Sequence, residues 1–174
     1  VGKSALITAL STGEPEVAAY PFTTKRLHLG HFIHRRRKYQ MVDTPGLLDR
    51  PNDERNQIAM QAIAALENVG DIVLFLIDPS ESGGTPLQEQ MSLLREVEDL
   101  ISARKIILVH SKSDLDSEES IPGAVMVSST KSIGLEELRE KVVHEIAADA
   151  IVDPLQLPEG WHREDTEIKE QSLD

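Results

Sequence analysis

The chain is expected to fold as an α/β protein on a mostly parallel sheet with helices on both faces. Three observations lead there. Short continuous apolar runs at Ile72–Ile77, Ile106–Val109 and Ala124–Val127 have the character of strands buried on both faces. Between them lie amphipathic stretches, the order expected when crossover helices link parallel strands. And 174 residues, 40% of them hydrophobic, suffice for one cored domain but are too few for two.

Taken in order, Gly2-Lys3-Ser4 heads a first helix. From Arg26 to Ile33 the pattern alternates, with Leu27, Leu29, His31 and Ile33 on one face, and a second run from Tyr39 to Val42 follows a basic turn. This predicts an antiparallel hairpin at the sheet edge. Three helical stripes follow: Ile58, Ala62, Leu66 and Val69; Leu87, Met91, Leu94, Val97 and Ile101; and Leu135, Leu138, Val142 and Ile146. Thr85, Pro86 and Gln88 have the spacing of a capping box that starts the second of these. After residue 149 the composition turns polar and proline-containing, so residues 1–149 are expected to form the domain and 150–174 a tail or linker.

Composition excludes several classes. The chain has no cysteine, which removes disulfide frameworks and thiolate metal sites. Its longest apolar run is far shorter than a membrane span, and a cytoplasmic, membrane-free protein is expected. Eighteen basic against thirty acidic residues leave a net charge of −12, a field that opposes polyanions overall. The one basic cluster, His34-Arg35-Arg36-Arg37-Lys38, falls at the hairpin turn, as a solvated tip or a local contact for RNA. His28, His31 and His34 would group on a helix but alternate on a strand, so their spacing builds no zinc site.

The chemistry is carried by four segments. Val1-Gly2-Lys3-Ser4 is the end of G-x-x-x-x-G-K-[ST], in which backbone amides and a helix N-terminus cradle phosphates while lysine adds charge. Asp43-Thr44-Pro45-Gly46 follows a strand, where α/β sheets place ligand-contacting groups. Asp43 is suited to a magnesium-bound water, and Gly46 to presenting its amide to a terminal phosphate. Between them, the loop Tyr20–Lys25 offers a threonine to complete an octahedral magnesium shell with Ser4. Finally, Ser111-Lys112-Ser113-Asp114 follows a strand. There Asp114 would accept from the ring N–H and amino group of guanine while Lys112 covers the base; adenine lacks that donor pair. Ser128, Ser129 and Thr130 follow the last strand and would form a second base-contacting loop.

With these residues in place, the sequence resembles the OBG-like branch of P-loop GTPases, and most of all the nucleolar GTP-binding protein family with its archaeal ribosome-assembly relatives. The resemblance rests on motif order and on YPFTTK at Tyr20–Lys25, DTPGLLDRP at Asp43–Pro51, ERN at Glu54–Asn56 and QAIAAL at Gln61–Leu66. It implies the P-loop GTPase fold with one antiparallel edge strand, entered after its first strand. It also implies GTP hydrolysis to GDP in a molecular switch acting in large ribosomal subunit assembly.

By the same resemblance, Gly2, Lys3, Ser4 and Ala5 hold phosphate. Thr24 senses the terminal phosphate, and Asp43 with Gly46 forms the second switch. Ser111, Lys112, Asp114 and Ser128–Thr130 hold guanine. Lys3, Thr24 and Gly46 are the catalytic candidates, and Ser4, Thr24 and Asp43 the magnesium group; a monovalent cation is a second candidate cofactor. The large ribosomal subunit, its RNA and its proteins, is the implied partner.

Two departures qualify the reading. Leu47 stands where many GTPases carry the glutamine that orients the attacking water. Unassisted turnover on the order of 10⁻⁴ s⁻¹, raised about 10⁵-fold by a partner, is the expectation. Ser111 replaces the asparagine of N-K-x-D, which lowers affinity while Asp114 keeps guanine preference. The alternatives are a nucleotide-binding interaction module with little hydrolysis and a P-loop ATPase or kinase.

Overall fold

The computed structural model describes residues 2–14, 16–19, 26–43, 71–101, 104–117 and 119–152. Helix α1 (Lys3–Leu10) leads to strands β1 (Glu16–Ala19), β2 (Arg26–His34), β3 (Arg37–Val42) and β4 (Ile72–Ile77). Helix α2 (Leu87–Leu100), strands β5 (Lys105–Ser111) and β6 (Val125–Val127), and helix α3 (Leu135–Val152) complete the order. The expected helix over Ile58–Val69, the Tyr20–Lys25 loop with Thr24, and Gly46 with Leu47 lie outside the described residues, as does the tail beyond Val152.

The α/β class stands, with parallel and antiparallel strands in separate three-stranded sheets, β4-β5-β6 and β1-β2-β3. The parallel pairing runs Ile72↔Lys105 to Ile77↔His110, then Val109↔Val125 to Ser111↔Val127. The hairpin pairs Leu29↔Val42 through His34↔Arg37. Strand β1, antiparallel to β2 from Glu16↔Leu29 to Ala19↔Arg26, enlarges the antiparallel part beyond the single edge strand expected. Glu-Val-Ala-Ala is too short to show a period of two.

Alternation along β4 and β5 splits the core. Phe75 and Ile77 face α2 and join Leu93, Leu94, Val97 and Ile101, with Val73, Ile106 and Leu108 packed alongside. The opposite face carries Ile107, Val109, Val125 and Val127 against Leu6 and Leu10 of α1 and Leu135 and Leu138 of α3. Each fully buried side chain of this kind contributes roughly 1.5–3 kcal/mol. α1 and α3 therefore share one sheet face and α2 covers the other, as strands apolar on both sides require.

Two expectations are corrected. α2 starts one residue later than the capping box predicts: Pro86 is its N-cap, with ψ 144°, and its own side chain makes no capping bond. That extended residue leaves Thr85 too far from the first-turn amides, so Glu81 Oε1 accepts from Leu87 N at 2.6 Å instead. α3, in turn, runs through Ala150 to Val152, past the boundary drawn at residue 149. Among the described residues no helix is long and apolar enough to cross a membrane.

Gly134 precedes α3 with φ +68°, and a Cβ there would collide with the Met126 carbonyl. Left-handed backbone and close approach to β6 both require glycine. Gly134→Ala is expected to cost about 3 kcal/mol or more, read as a lowered urea midpoint with an unchanged slope.

Candidate functional site

At one end of the site, Gly2 takes a left-handed conformation, φ 83° and ψ 26°, as the N-cap of α1. The helix then opens on Lys3, Ser4 and Ala5, whose first-turn amides have no partner within the helix. No acidic side chain occupies that turn. Ser4 Oγ donates to Asp43 Oδ2 at 2.6 Å, so residues 39 apart in sequence meet at the helix start. Asp43 sits immediately beyond β3, held by its amide on the His28 carbonyl at 2.8 Å. His28 Nδ1 lies 3.7 Å from the same carboxylate oxygen.

Asp43 is only 9% exposed, and its Oδ1 has no hydrogen-bond partner among the described residues. A bare buried carboxylate oxygen costs about 1–3 kcal/mol or more unless something supplies a charge or a donor. Beside a serine hydroxyl and a free helix N-terminus, this hard oxygen set fits magnesium with its waters and phosphate oxygens. Ser4 and Asp43 are the described residues that would hold it. Bound there, the ion would neutralise charge on the terminal phosphates.

The second end lies where the parallel strands finish. Ser111, the last residue of β5 and buried, donates from Oγ to the Ile77 carbonyl at 3.0 Å. It locks the ends of β4 and β5 together, using the hydroxyl locally where a longer asparagine would reach outward. Lys112 follows in left-handed conformation, φ 58°. Its Nζ donates to Asp78 Oδ2 at 2.6 Å and to Ser82 Oγ at 2.7 Å.

Asp78 is 1% exposed. Burial pushes its carboxyl up, but hydrogen bonds from Lys112 and Ser80, the Lys112 charge and a bond from Ser82 outweigh this and hold it below the ordinary 3.8. The Asp78 backbone is clasped as well: Gln90 Oε1 accepts from its amide at 2.8 Å and Gln90 Nε2 donates to its carbonyl at 3.0 Å. Gln90 Nε2 also donates to the Thr85 carbonyl at 2.9 Å, tying the loop after β4 to α2.

Asp114 is exposed at the tip of the Lys112–Leu115 turn. Its carboxyl is held low chiefly by a hydrogen bond from Ser128; desolvation opposes this, and its own backbone, Lys131 and Thr130 add to the lowering. Thr130 Oγ1 lies 3.5 Å from Asp114 Oδ2 and 3.1 Å from Ser128 Oγ. Ser128 is fully buried and accepts from Lys131 N at 3.1 Å, which shapes the loop around it. Ser129 is half-buried in the same turn.

The structure thus joins Ser4 with Asp43, and Asp114 with Ser128 and Thr130. The partner of Lys112 was not expected: its ammonium is held by Asp78. Yet Asp78 directly follows the apolar run Ile72–Ile77, a carboxylate at a parallel strand's C-terminal end, and the rule that singled out Asp43 finds it too. Arg139 offered no such signal. From α3 it donates from Nη2 to the Leu10 carbonyl at 3.0 Å, satisfying the C-terminal end of α1, while its guanidinium lies 6.0 Å from the Phe32 ring centre. It links α3 to the C-terminal end of α1.

Fold and site together define a GTP-binding domain of the G-domain class. Solved structures agree. A Plasmodium falciparum structure assigned to nucleolar GTP-binding protein 1 superposes with TM-score 0.70 at 28% identity, covering 87% of this chain and 83% of that one. The G domain of the Thermotoga maritima FeoB iron transporter matches with TM-score 0.61 at 29% identity over 83% of this chain and 91% of its own.

The model of the family Nucleolar GTP-binding protein 1 matches residues 57–114. An uncharacterized protein of Methanocaldococcus jannaschii is 46% identical over 70% of this chain and 33% of its own length. The nucleolar GTP-binding proteins 1 of Encephalitozoon cuniculi and Saccharomyces cerevisiae are 44% and 31% identical over 66% and 89% of this chain, and 22% and 26% of their own lengths. Over the matched region the chain belongs to the nucleolar GTP-binding protein family. It spans between 19% and 33% of the length of such curated relatives.

Proposed function

We propose that this domain is a magnesium-dependent GTPase switch acting in the assembly of the large ribosomal subunit. The observation that carries the catalytic part is the Ser4–Asp43 contact, which brings the phosphate-loop hydroxyl and the switch carboxylate to the start of one helix. In this reading the amides of Gly2 to Ala5 and the Lys3 ammonium bind the phosphates, and Ser4, Thr24 and Asp43 hold magnesium. The Gly46 amide meets the terminal phosphate. Asp114, framed by Ser128, Ser129 and Thr130, reads guanine, while Lys112 and Ser111 shape the base loop. Lys3 stabilises charge on the transferring group as water attacks in line, and no covalent intermediate forms.

The ribosomal role rests on the family, whose named members are nucleolar GTP-binding proteins. In a cell without a nucleus the corresponding compartment is the cytoplasm, and in one with a nucleus it is the nucleolus. Leu47 supports slow intrinsic turnover with an external activator or a monovalent cation. It also favours one second reading, a nucleotide-dependent interaction module with little hydrolysis.

Single-turnover GTP hydrolysis by the full-length protein, with and without large ribosomal subunits, separates the two. Stimulation by subunits is expected. Bound GTP that stays intact under both conditions would establish the module reading, and ADP displacing GDP from the site would overturn the guanine assignment.

A further inference from the structure

We infer that the tip of the β2–β3 hairpin is a docking site for the phosphate backbone of a folded, double-helical RNA. The turn joining the two strands is Arg35-Arg36, and both residues have positive φ, 46° and 67°. Positive φ at both central positions marks a type I′ turn, which favours Asn-Gly because these residues tolerate left-handed backbone. Arginine at both positions is a costly choice for the fold. The hairpin therefore accepts strain exactly where it gains two guanidinium groups, whose planar donor forks match phosphate.

Their surroundings leave those groups available. Arg35, Arg36, Arg37 and Lys38 are all exposed, and among the described residues none of their side chains has an ion pair or hydrogen bond. β1 pairs with β2 only as far as Leu29, and the residues after α1 reach β2 only as far as Ile33, where Thr12 Oγ1 accepts from the Ile33 amide at 3.3 Å. Past the Ile33↔Lys38 pair the hairpin is a bare two-stranded ribbon.

Below it, Phe32 and Tyr39 stack with ring centres 5.1 Å apart, and Arg139 lies over Phe32, so the ribbon has a rigid base. In a chain of net charge −12, these four consecutive exposed cations make a local field opposite in sign to that of the whole.

The chemistry favours nucleic-acid phosphates over a lipid surface. Guanidinium groups on a narrow exposed turn can meet the phosphates of an A-form helix from outside its deep, narrow major groove, and backbone contacts of this kind carry no sequence requirement. A membrane would call for several apolar insertions, and the tip offers the single exposed Ile33. The choice of RNA over DNA rests on the proposed function.

The test exploits the strain. Arg35→Asn with Arg36→Gly installs the favoured turn pair and removes both guanidinium groups, so stability and binding should move in opposite directions. Melting temperature is expected to rise. Affinity for a mixed-sequence RNA duplex, read by fluorescence anisotropy, is expected to fall at least about tenfold at physiological salt, with a shallower salt dependence. Arg35→Lys with Arg36→Lys, which keeps the charge but not the planar forks, should bind between the parent and the Asn-Gly variant.

Unchanged duplex binding in the Asn-Gly variant, or no binding by the parent even at low salt, would reduce the tip to a solvated turn. Tighter binding to anionic phosphatidylserine vesicles than to the duplex would assign it to membranes instead. If the duplex binds as expected while large subunits fail to stimulate GTP hydrolysis, the docking site stands and the ribosomal switch falls.

Discussion

Asp114→Asn should weaken GDP binding on the order of 10²-fold and create affinity for xanthosine diphosphate. Guanine offers two donors, the ring N–H and the amino group, to one carboxylate. Asparagine can accept only one of them and turns its own N–H₂ toward the amino group. Xanthine carries a carbonyl at that position, so the same N–H₂ finds an acceptor.

The structure sharpens this expectation. The Asp114 carboxyl is already oriented by Ser128 and Thr130 and kept ionised well below neutral pH, so its acceptor geometry exists before nucleotide arrives. The substituted residue is exposed, so the fold should be unaffected. Isothermal titration with GDP, xanthosine diphosphate and ADP checks the outcome. Equal GDP affinity in the variant and the parent would place guanine recognition elsewhere.

Asp78→Asn should have the second large effect, and it acts on stability and binding together. Removing one partner of a buried pair typically costs 3–5 kcal/mol, but the Lys112 side chain is 30% exposed and can regain water, so about 2 kcal/mol is expected. Released from Asp78, Lys112 no longer has its left-handed turn braced, and GDP affinity should fall roughly tenfold with guanine preference intact. The distinction from Asp114→Asn is that xanthine gains nothing.

The acid limb gives an independent readout. The folded Asp78 carboxyl is depressed below 3.8, so its stabilisation is complete above the unfolded value and is lost as pH falls through the lower folded one. The parent should therefore lose stability more steeply than the variant below about pH 4, measured by denaturant midpoints across that range. Parallel curves would show that the pair adds nothing to folding.

Much of this molecule was open to reading from residue order. The run Ile72–Ile77 coincides with β4 to the residue, because a strand covered on both faces must be apolar throughout. The hairpin's strands were legible in sequence but their inward face was not. The alternation put Ile33 with Leu29 and His31, whereas Phe32 on the other face is buried at 3% exposure and Ile33 is 57% exposed. Packing against α1 and Arg139 chose the face. The meeting of Ser4 with Asp43 was legible from the rule that strand ends and helix starts converge in α/β proteins. The family followed from strings around Tyr20–Lys25 and Asp43–Pro51, which depend on identity and need no coordinates.

Other features were decided only in three dimensions, each for the same reason: they depend on which side chain reaches which atom across a long separation. Lys112 looked like a base-covering residue, and the fold gives its ammonium to Asp78, 34 positions away. Ser111 looked like a weakened asparagine, and it closes β5 onto β4. Arg139, 129 residues from Leu10, satisfies the C-terminal end of α1 from the neighbouring helix on the same sheet face. Local pattern reports periodicity, burial and backbone preference along a segment; hydrogen-bond partnership between segments is set by packing, which only the assembled tertiary structure specifies.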